Sequence, residues 1–87
     1  SGGKLMTLGG NMLKKIFAEG LGISEDAVRD DLTYKSVKSW DSLGHMALIA
    51  AIESKYDIMI DTDDIIDMSS FAKAKEIVKK YGIDIDA

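Results

Sequence analysis

The chain has 87 residues, of which 46% are hydrophobic and 30% charged, and its net charge is −4. This length corresponds to one small domain, and the composition is apolar enough for a packed core but contains no apolar run of the ~20 residues that cross a membrane. The absence of cysteine excludes disulfides and thiolate metal sites, the single histidine excludes any site with two imidazoles from one chain, and the few aromatic residues argue against nucleic acid as a partner.

The first predicted helix follows a segment rich in glycine, residues 1–10, which we expect to be flexible and partly a cloning remnant. This segment lacks the charged start and long apolar stretch of a signal peptide, so we expect a cytoplasmic protein. Asn11 is a residue type that caps helices, and the apolar spacing after it predicts a helix that ends at Gly20 and Gly22.

A long connection follows the first helix, and residues 24–31 predict only a short turn of helix within it. Apolar side chains along this connection would hold it against the core: Ile23, Val28, Leu32 and Tyr34. Such anchors favour an ordered loop over a flexible linker.

The second helix is predicted to open at Trp40-Asp41-Ser42 and to run to about Tyr56. Its apolar residues lie on nearly every side, which is typical of a helix that is central to its domain or covered by a partner or guest molecule. Residues 57–61 predict an extended connector rather than a strand, because no second strand signal occurs elsewhere.

Two more helices are predicted in the C-terminal third. Residues 62–64 are expected to cap a short helix that ends near Met68, and Ser69 and Ser70 to cap a last helix that ends before Gly82. The predicted fold class is therefore all-α. It is a small four-helix bundle of three longer helices and one short helix, with a long ordered loop between helices one and two.

The domain is expected to span residues 11–83, followed by a C-terminal tail at 84–87. Within it, residues 41–67 contain seven acidic residues and one basic residue, so the acidic excess of the chain lies in this segment. Such a field would attract basic partners, although a solvated acidic face that aids solubility explains the same pattern.

The sharpest local feature is the tripeptide Asp41-Ser42-Leu43 at the start of the most apolar helix. An Asp followed by Ser at a helix start is by itself ordinary capping. A serine there is also well placed to carry a phosphate, because the first N–H groups of a helix lack internal partners and the helix dipole is positive there. We expect Asp41 either to cap the helix or to be recognised by the enzyme that modifies Ser42.

Two other kinds of site are excluded by the sequence: a catalytic triad at this tripeptide and a calcium-binding loop after the second helix. Asp41, Ser42 and His45 lie within one helical turn, which leaves little room for a substrate, and the chain has no nucleophile elbow and no identifiable oxyanion hole. We therefore predict no catalytic residue and interpret His45 as an ordinary surface histidine. The aspartates from Asp61 onward lack the glycine and glutamate of a calcium loop, so we predict no metal site.

Three segments resemble the first, second and last helices of acyl carrier proteins: KKIFAEGLGI, WDSLGHMALIAAIESKYDIMI and FAKAKEIVKKYG. The resemblance covers Leu13 to Ile83. It implies that Ser42 carries 4′-phosphopantetheine, donated by coenzyme A through a phosphopantetheinyl transferase. The thiol of this arm would hold acyl groups as thioesters and present them to other enzymes. The chain is then a carrier and not an enzyme, and we expect it to be a monomer.

The resemblance also implies where partner enzymes bind. In the family, the second helix and its acidic residues meet basic patches on acyl-transferring and acyl-modifying enzymes, and this role carries over to Asp41, Leu43, Met46 and Glu53. Five isoleucines become candidates for a core that parts to shelter an acyl chain: Ile49, Ile52, Ile60, Ile65 and Ile77. Three pliant methionines would ease that repacking: Met46, Met59 and Met68.

Departures from the family pattern favour a specialised pathway. Ala47 stands where carriers of fatty-acid synthesis commonly have Glu, which favours specialised fatty-acid, polyketide or polysaccharide-linked chemistry. Gly44 is expected to leave space beside the arm. Two alternatives stay open, namely a peptidyl or aminoacyl carrier and an acidic helical interaction module without a prosthetic group.

Overall fold

The computed structural model describes residues 8–83, with side chains from residue 12 onward. Its elements follow one another as α1 (Leu8–Leu21), a 3-10 helix (Glu25–Ala27), α2 (Ser42–Tyr56), α3 (Thr62–Asp67) and α4 (Phe71–Lys80). Residues 8–83 contain no strand, and the extended pairing there is an isolated bridge. No helix in this range is both long and apolar enough to span a bilayer. The predicted all-α bundle of three longer helices and one short helix is confirmed.

The start of α1 differs from the prediction. The helix begins at Leu8, so Asn11 stands inside it and is not its N-cap. Gly9 and Gly10 form helix poorly in isolation, which is why the sequence pattern indicates a later start. Residues 8–10 of the predicted N-terminal segment belong to this helix, whereas residues 1–7 and the predicted tail, 84–87, lie outside the described part of the chain.

Side-chain caps fix the starts of α2 and α4. Asp41 accepts a hydrogen bond from the Gly44 N–H at 2.9 Å, and the Ser70 hydroxyl accepts one from the Lys73 N–H at 3.0 Å. Both helices therefore begin where the sequence predicts. Gly82, with a φ of 92°, follows α4 in the left-handed conformation expected after a helix end.

The short helix α3 begins differently from the prediction. Its N-cap is Asp61, whose side chain makes no capping hydrogen bond, while residues 62–64 form the first turn of the helix rather than its cap. The connector at 57–61 contains no strand, as predicted, and Asp61 at its end is extended. Its first residue, Asp57, ends α2 in a left-handed conformation with a φ of 57°. A helix of this length with a weak cap depends on tertiary contacts for its position.

The core is built around the ring of Phe17, which is fully buried. This ring meets Trp40 and Phe71 edge-on, with centroids 5.4 Å and 5.0 Å away. One aromatic cluster thus joins α1, the loop before α2 and the start of α4. Further buried apolar side chains come from α1, α2 and α4 and from the residue that follows α3, among them Leu13, Leu21, Leu48, Ile52, Met68, Ala74 and Val78.

The long loop between α1 and α2 is ordered, as predicted. Val28 and Leu32 are buried, and the Leu32 carbonyl accepts a hydrogen bond from the Phe71 N–H at 2.9 Å. The Tyr34 N–H donates to the Ser69 carbonyl at 2.9 Å. These contacts hold the loop against the start of α4 and bring Tyr34 next to the beginning of α2.

Candidate functional site

Ser42 is the first residue of α2, and its side chain is exposed to solvent. The preceding residue, Asp41, accepts hydrogen bonds from the N–H groups of Gly44 and His45, at 2.9 Å and 2.7 Å. The helix supplies no internal partner for the N–H groups of Ser42 and Leu43, so the positive end of α2 lies next to the Ser42 hydroxyl. An anionic group on this oxygen would be stabilised there.

Glycine at position 44 is required by a close approach of the loop. A Cβ atom on Gly44 would overlap the backbone carbonyl of Ser39, which has no flexible end that could move away. Ser39 is itself held by a hydrogen bond from its hydroxyl to the Leu21 carbonyl, at 2.6 Å. The expected space beside the arm is thus filled by the loop, and this explains Gly44 by packing.

Tyr34 contacts the candidate serine from the loop. The phenol of Tyr34 and the hydroxyl of Ser42 share a hydrogen bond of 3.2 Å. The Tyr34 ring meets Trp40 and His45 edge-on, with centroids 6.3 Å and 5.7 Å away. Sequence reasoning identifies Tyr34 only as a core anchor, because a contact eight positions along an irregular loop leaves no periodic signal.

A groove of about 340 Å³ adjoins Ser42. Ser42, His45 and Met46 line it from α2, and Ile65 and Ile66 line it from α3. Most of its surface is apolar, and its volume falls within the ~300–1,000 Å³ of small-molecule pockets. A flexible group attached to the Ser42 hydroxyl would therefore find an apolar surface beside its point of attachment.

His45 connects three parts of the molecule and is not the ordinary surface histidine that was predicted. Its half-buried ring accepts a hydrogen bond at Nδ1 from the Trp40 indole N–H, at 2.9 Å. Its Nε2 lies 2.7 Å from the backbone carbonyl of Ile65. Because an indole only donates and a carbonyl only accepts, the ring is the neutral tautomer with its proton on Nε2. Both nitrogens are thus engaged, and neither is available as a base for Ser42.

The predicted partner residues occupy two kinds of environment. Leu43 is 82% exposed, Met46 is exposed and Asp41 is exposed, and all three lie within the first turns of α2 near Ser42. Glu53 is half-buried instead, and its Oε2 accepts a hydrogen bond from the Ile60 N–H at 2.9 Å. Glu53 therefore holds the connector before α3 in place, whatever its role in docking.

Ile66 extends the exposed apolar surface beyond the predicted residues. It is 74% exposed and lines the groove from α3. The sequence does not single it out, because a helix of six residues is too short for its periodicity to separate a buried side from an exposed one.

The isoleucines named as candidates for an acyl shelter fall into two groups. Ile65 is half-buried and lines the groove, whereas the other four are buried: Ile49, Ile52, Ile60 and Ile77. Met68 is buried beside the groove, but Met59 is 82% exposed. The prediction that Met59 eases repacking of the interior is therefore wrong.

Helix α3 has a second attachment, to α4. The Asp64 carboxylate lies 2.5 Å from the Lys80 ammonium and accepts a hydrogen bond of 2.6 Å from the Tyr81 hydroxyl. The same hydroxyl accepts a hydrogen bond from the Asp61 N–H at 2.9 Å. The hydrogen bonds from Lys80 and then Tyr81 favour the carboxylate, and they lower the pKa of Asp64 below its ordinary value.

Comparison with known proteins identifies the family. No family model matches the chain. The acyl carrier protein of Buchnera aphidicola subsp. Baizongia pistaciae (strain Bp) is 30% identical over 69 residues, which is 79% of this chain and 88% of the relative. The chain therefore belongs to the acyl carrier protein family, and it is a carrier rather than an enzyme.

A solved structure shows the same fold. The holo acyl carrier protein from Geobacter metallireducens, determined by NMR in solution, matches with a TM-score of 0.73 and 22% identity, and the match covers 84% of each chain. At this identity the likeness supports the fold and leaves the details of the site to the residues of this chain.

Proposed function

We propose that the chain carries acyl groups as thioesters on a 4′-phosphopantetheine arm attached to the Ser42 hydroxyl. The observation that carries this proposal is the exposed Ser42 side chain at the start of α2, next to an apolar groove. When bound, the arm supplies the thiol that forms the thioester, which this cysteine-free chain cannot supply. The protein's own residues hold the arm and orient it.

The surroundings of Ser42 fit both ends of such an arm. The N–H groups of Ser42 and Leu43 and the positive end of α2 would stabilise the phosphate, and the Tyr34 hydroxyl is close enough to donate to one of its oxygens. The apolar groove suits the less polar distal part of the arm and its cargo. Since both nitrogens of His45 are engaged, the base for the attachment reaction would come from the transferase.

The attachment is tested by intact mass. Incubation with coenzyme A and a broad-specificity phosphopantetheinyl transferase should add one phosphopantetheine to the parent chain and none to Ser42→Ala. Ser69→Ala is the matched control, because Ser69 is exposed and lines the same groove, and this variant should be modified like the parent. An unmodified parent chain, or the same mass gain in Ser42→Ala, would contradict the proposal.

Around the groove, the exposed side chains offer a docking surface for enzymes with basic patches. Leu43, Met46 and Ile66 provide exposed apolar area, and the exposed carboxylate of Asp63 lies one turn before Ile66 on α3. The carboxylates would steer encounter and the apolar side chains would be buried on docking. We include Glu53 in this surface only through its charge, since its Oε2 also holds Ile60.

Charge reversal separates docking from folding. Asp63→Lys should lower the transferase's kcat/KM at low salt, and the defect should shrink at high salt. Glu19→Lys makes the same change at an exposed position on α1 and serves as the control. Equal effects of the two variants would show that only net charge matters and that α3 is not part of the docking surface.

The cargo is tested by loading the modified protein. The alanine at position 47 places no carboxylate on this exposed part of α2, and we propose on this ground a specialised fatty-acid, polyketide or polysaccharide-linked pathway. Acyl and malonyl donors should load the arm in preference to aminoacyl donors. Preferential aminoacyl loading would favour the peptidyl carrier alternative, and an unmodified Ser42 would favour an interaction module without a prosthetic group.

A further inference from the structure

Two apolar compartments lie close to Ser42. One is the open groove, lined by Met46 of α2 and Ile66 of α3. The other is the closed core, in which Ile49 and Ile52 of α2 are buried. Met46 of α2 and Ile65 of α3 both line the groove, while Ile49 and Ile52 of α2 face the core. The route between α2 and α3 would therefore lead a chain tethered at Ser42 from the groove into the core.

A side-chain hydrogen bond crosses the seam between α2 and α3 beside Ser42. The His45 Nε2–H of α2 donates to the Ile65 carbonyl of α3 at 2.7 Å. Both residues line the groove, so the bond lies at the groove's inner wall. Opening the seam would leave the partly buried Nε2–H of His45 without this acceptor, and the Ile65 carbonyl would keep only the long hydrogen bond of 3.4 Å from the Met68 N–H. Both losses are costly.

The ring of His45 is held from the other side by a rigid support. The Trp40 indole donates to Nδ1 at 2.9 Å and lies edge to edge with the imidazole in nearly the same plane, with a ring-centroid distance of 6.1 Å and an interplanar angle of 17°. Trp40 is fully buried against Phe17. The imidazole therefore cannot turn away from Ile65 without losing both hydrogen bonds together.

We infer that His45 is a specificity-determining residue: its hydrogen bond to Ile65, supported by Trp40, keeps α2 and α3 together and confines the tethered acyl chain to the groove. This inference rests on the proposed function, because an acyl chain must first be attached at Ser42. Short acyl groups fit the groove with the seam closed. A longer chain must either extend into solvent or break the His45 contact.

The test uses the holo protein loaded with butanoyl or octanoyl groups and methyl NMR. In the parent chain, both cargoes should shift the methyl signals of Ile65 and Ile66 and leave those of Ile49 and Ile52 unchanged. In His45→Ala, octanoyl should also shift the signals of Ile49 and Ile52. Hydroxylamine should then cleave the octanoyl thioester roughly two- to tenfold more slowly, the factor that one net hydrogen bond carries.

Two further variants separate the hydrogen bond from the volume of the ring. His45→Gln retains a donor for the Ile65 carbonyl and should restore the parental behaviour, while His45→Phe retains an aromatic ring without a donor and should behave like His45→Ala. Octanoyl shifts at Ile49 and Ile52 in the parent chain would overturn the inference, as would identical cleavage rates in the parent and all three variants.

The contact can also be tested without any cargo. In the unmodified protein, amide hydrogen exchange of Ile65 and Ile66 should be roughly two- to tenfold faster in His45→Phe than in the parent and in His45→Gln. Equal exchange in all three proteins would refute the role of His45 even if Ser42 is never modified. Failure of the mass gain at Ser42 would refute the proposed function alone.

Discussion

Helix α3 is attached to the rest of the molecule at two places, and the two attachments differ in their chemistry. On the α2 side, the neutral ring of His45 donates to a backbone carbonyl of α3 and is supported by the buried Trp40. On the α4 side, the Asp64 carboxylate binds the ammonium of Lys80 and the hydroxyl of Tyr81. One attachment is made by polar neutral groups beside an aromatic core, and the other is an ion pair between the buried carboxylate of Asp64 and the largely exposed ammonium of Lys80.

The difference indicates which side of α3 is coupled to function. The His45 contact lies in the groove beside Ser42, so anything bound in that groove acts on it directly. The Asp64 contact involves Lys80, whose side chain is largely exposed, and it responds to pH and salt instead. A helix as short as α3 has little stability of its own, so its position reports on both attachments.

Disrupting the aromatic cluster should weaken both attachments of α3 and cause the largest loss of stability among these variants. Phe17 packs against Trp40, which holds His45, and against Phe71, the first residue of α4. Phe17→Ala should lower the free energy of unfolding by about 3–5 kcal/mol, a large part of the ~5–15 kcal/mol of a typical domain. Thermal and urea unfolding measure this loss.

An exposed apolar residue provides the control for that variant. Met59 is 82% exposed, and Met59→Ala should change the free energy of unfolding by less than about 0.5 kcal/mol. If Phe17→Ala destabilised the chain no more than Met59→Ala, the aromatic cluster would not be the core that the structure shows.

Gly44→Ala should disturb the α2 attachment and leave the α4 attachment intact. The added Cβ overlaps the Ser39 carbonyl, so either the loop or the first turn of α2, which includes His45, must shift. We expect a loss of about 1–3 kcal/mol in the free energy of unfolding. In methyl NMR, the signal of Ile65 should move more than that of Ile77.

Gly20→Ala is the matched control for Gly44→Ala. Its Cβ would lie 2.9 Å from the Cδ2 atom of Leu48, which is the end of a flexible side chain and can move. Alanine also forms helix better than glycine by ~1 kcal/mol. Gly20→Ala should therefore cost less than Gly44→Ala, and the reverse order would refute the packing explanation of Gly44.

Much of the fold follows from local signals in the sequence. The caps at Asp41 and Ser70 and the glycine at position 82 mark helix ends through the backbone groups beside them, and each of these signals acts within a few residues. The start of α1 is the exception. Gly9 and Gly10 weaken the local helix signal, yet the helix continues through them to Leu8.

Only part of the candidate site can be predicted from the sequence. The exposure of Ser42 at the start of α2 follows from its place after a capping aspartate, which is a local pattern. The partners of Tyr34 and His45 come from positions 8 and 20 residues away, across segments without regular periodicity. No rule of spacing connects such residues, so His45 could not be distinguished from a solvated surface histidine.

Glu53 shows the same limit for a charged residue. The resemblance to acyl carrier proteins implies that its carboxylate belongs to the docking surface, but its Oε2 accepts a hydrogen bond from the N–H of Ile60. The connector folds back on the helix to make this contact, and a fold-back of this kind is a tertiary feature. Only the structure therefore shows that a substitution at Glu53 changes packing together with charge.

Two substitutions at Glu53 separate these contributions on the segment that leads into α3. Glu53→Ala leaves the N–H of the buried Ile60 without its acceptor and should cost about 1–3 kcal/mol of unfolding free energy. Glu53→Gln retains an acceptor oxygen and should cost clearly less, while it removes the charge. Urea unfolding measures both, and equal losses would show that the charge matters and not the hydrogen bond.

The smallest loss of stability is expected when the contact between Asp64 of α3 and the end of α4 is removed, and this loss should depend on pH. The pKa of Asp64 is lowered in the folded chain by the hydrogen bonds from Lys80 and Tyr81, so its carboxylate stabilises the fold above the unfolded-state pKa of ~3.9. This contribution is lost as the pH falls through the lower folded-state pKa. Asp64→Asn should therefore be less stable than the parent at neutral pH. The difference should shrink as the pH falls below the unfolded-state pKa and disappear once the carboxyl is protonated in the folded chain as well.

Lys80→Met tests the cause of this pH dependence. Lys80 makes the largest contribution to the lowered pKa of Asp64, so its removal should raise that pKa toward the ordinary value and narrow the pH window in which stability is lost.

The His45 contact contains no ion pair, so it should not respond to salt. The ratio between the amide exchange rates of Ile65 in His45→Phe and in the parent should therefore stay the same when salt is added. The stability difference between Asp64→Asn and the parent could instead stay constant from neutral to acidic pH. In that case the charge of Asp64 would contribute nothing to stability, and both attachments of α3 would be made by neutral hydrogen bonds.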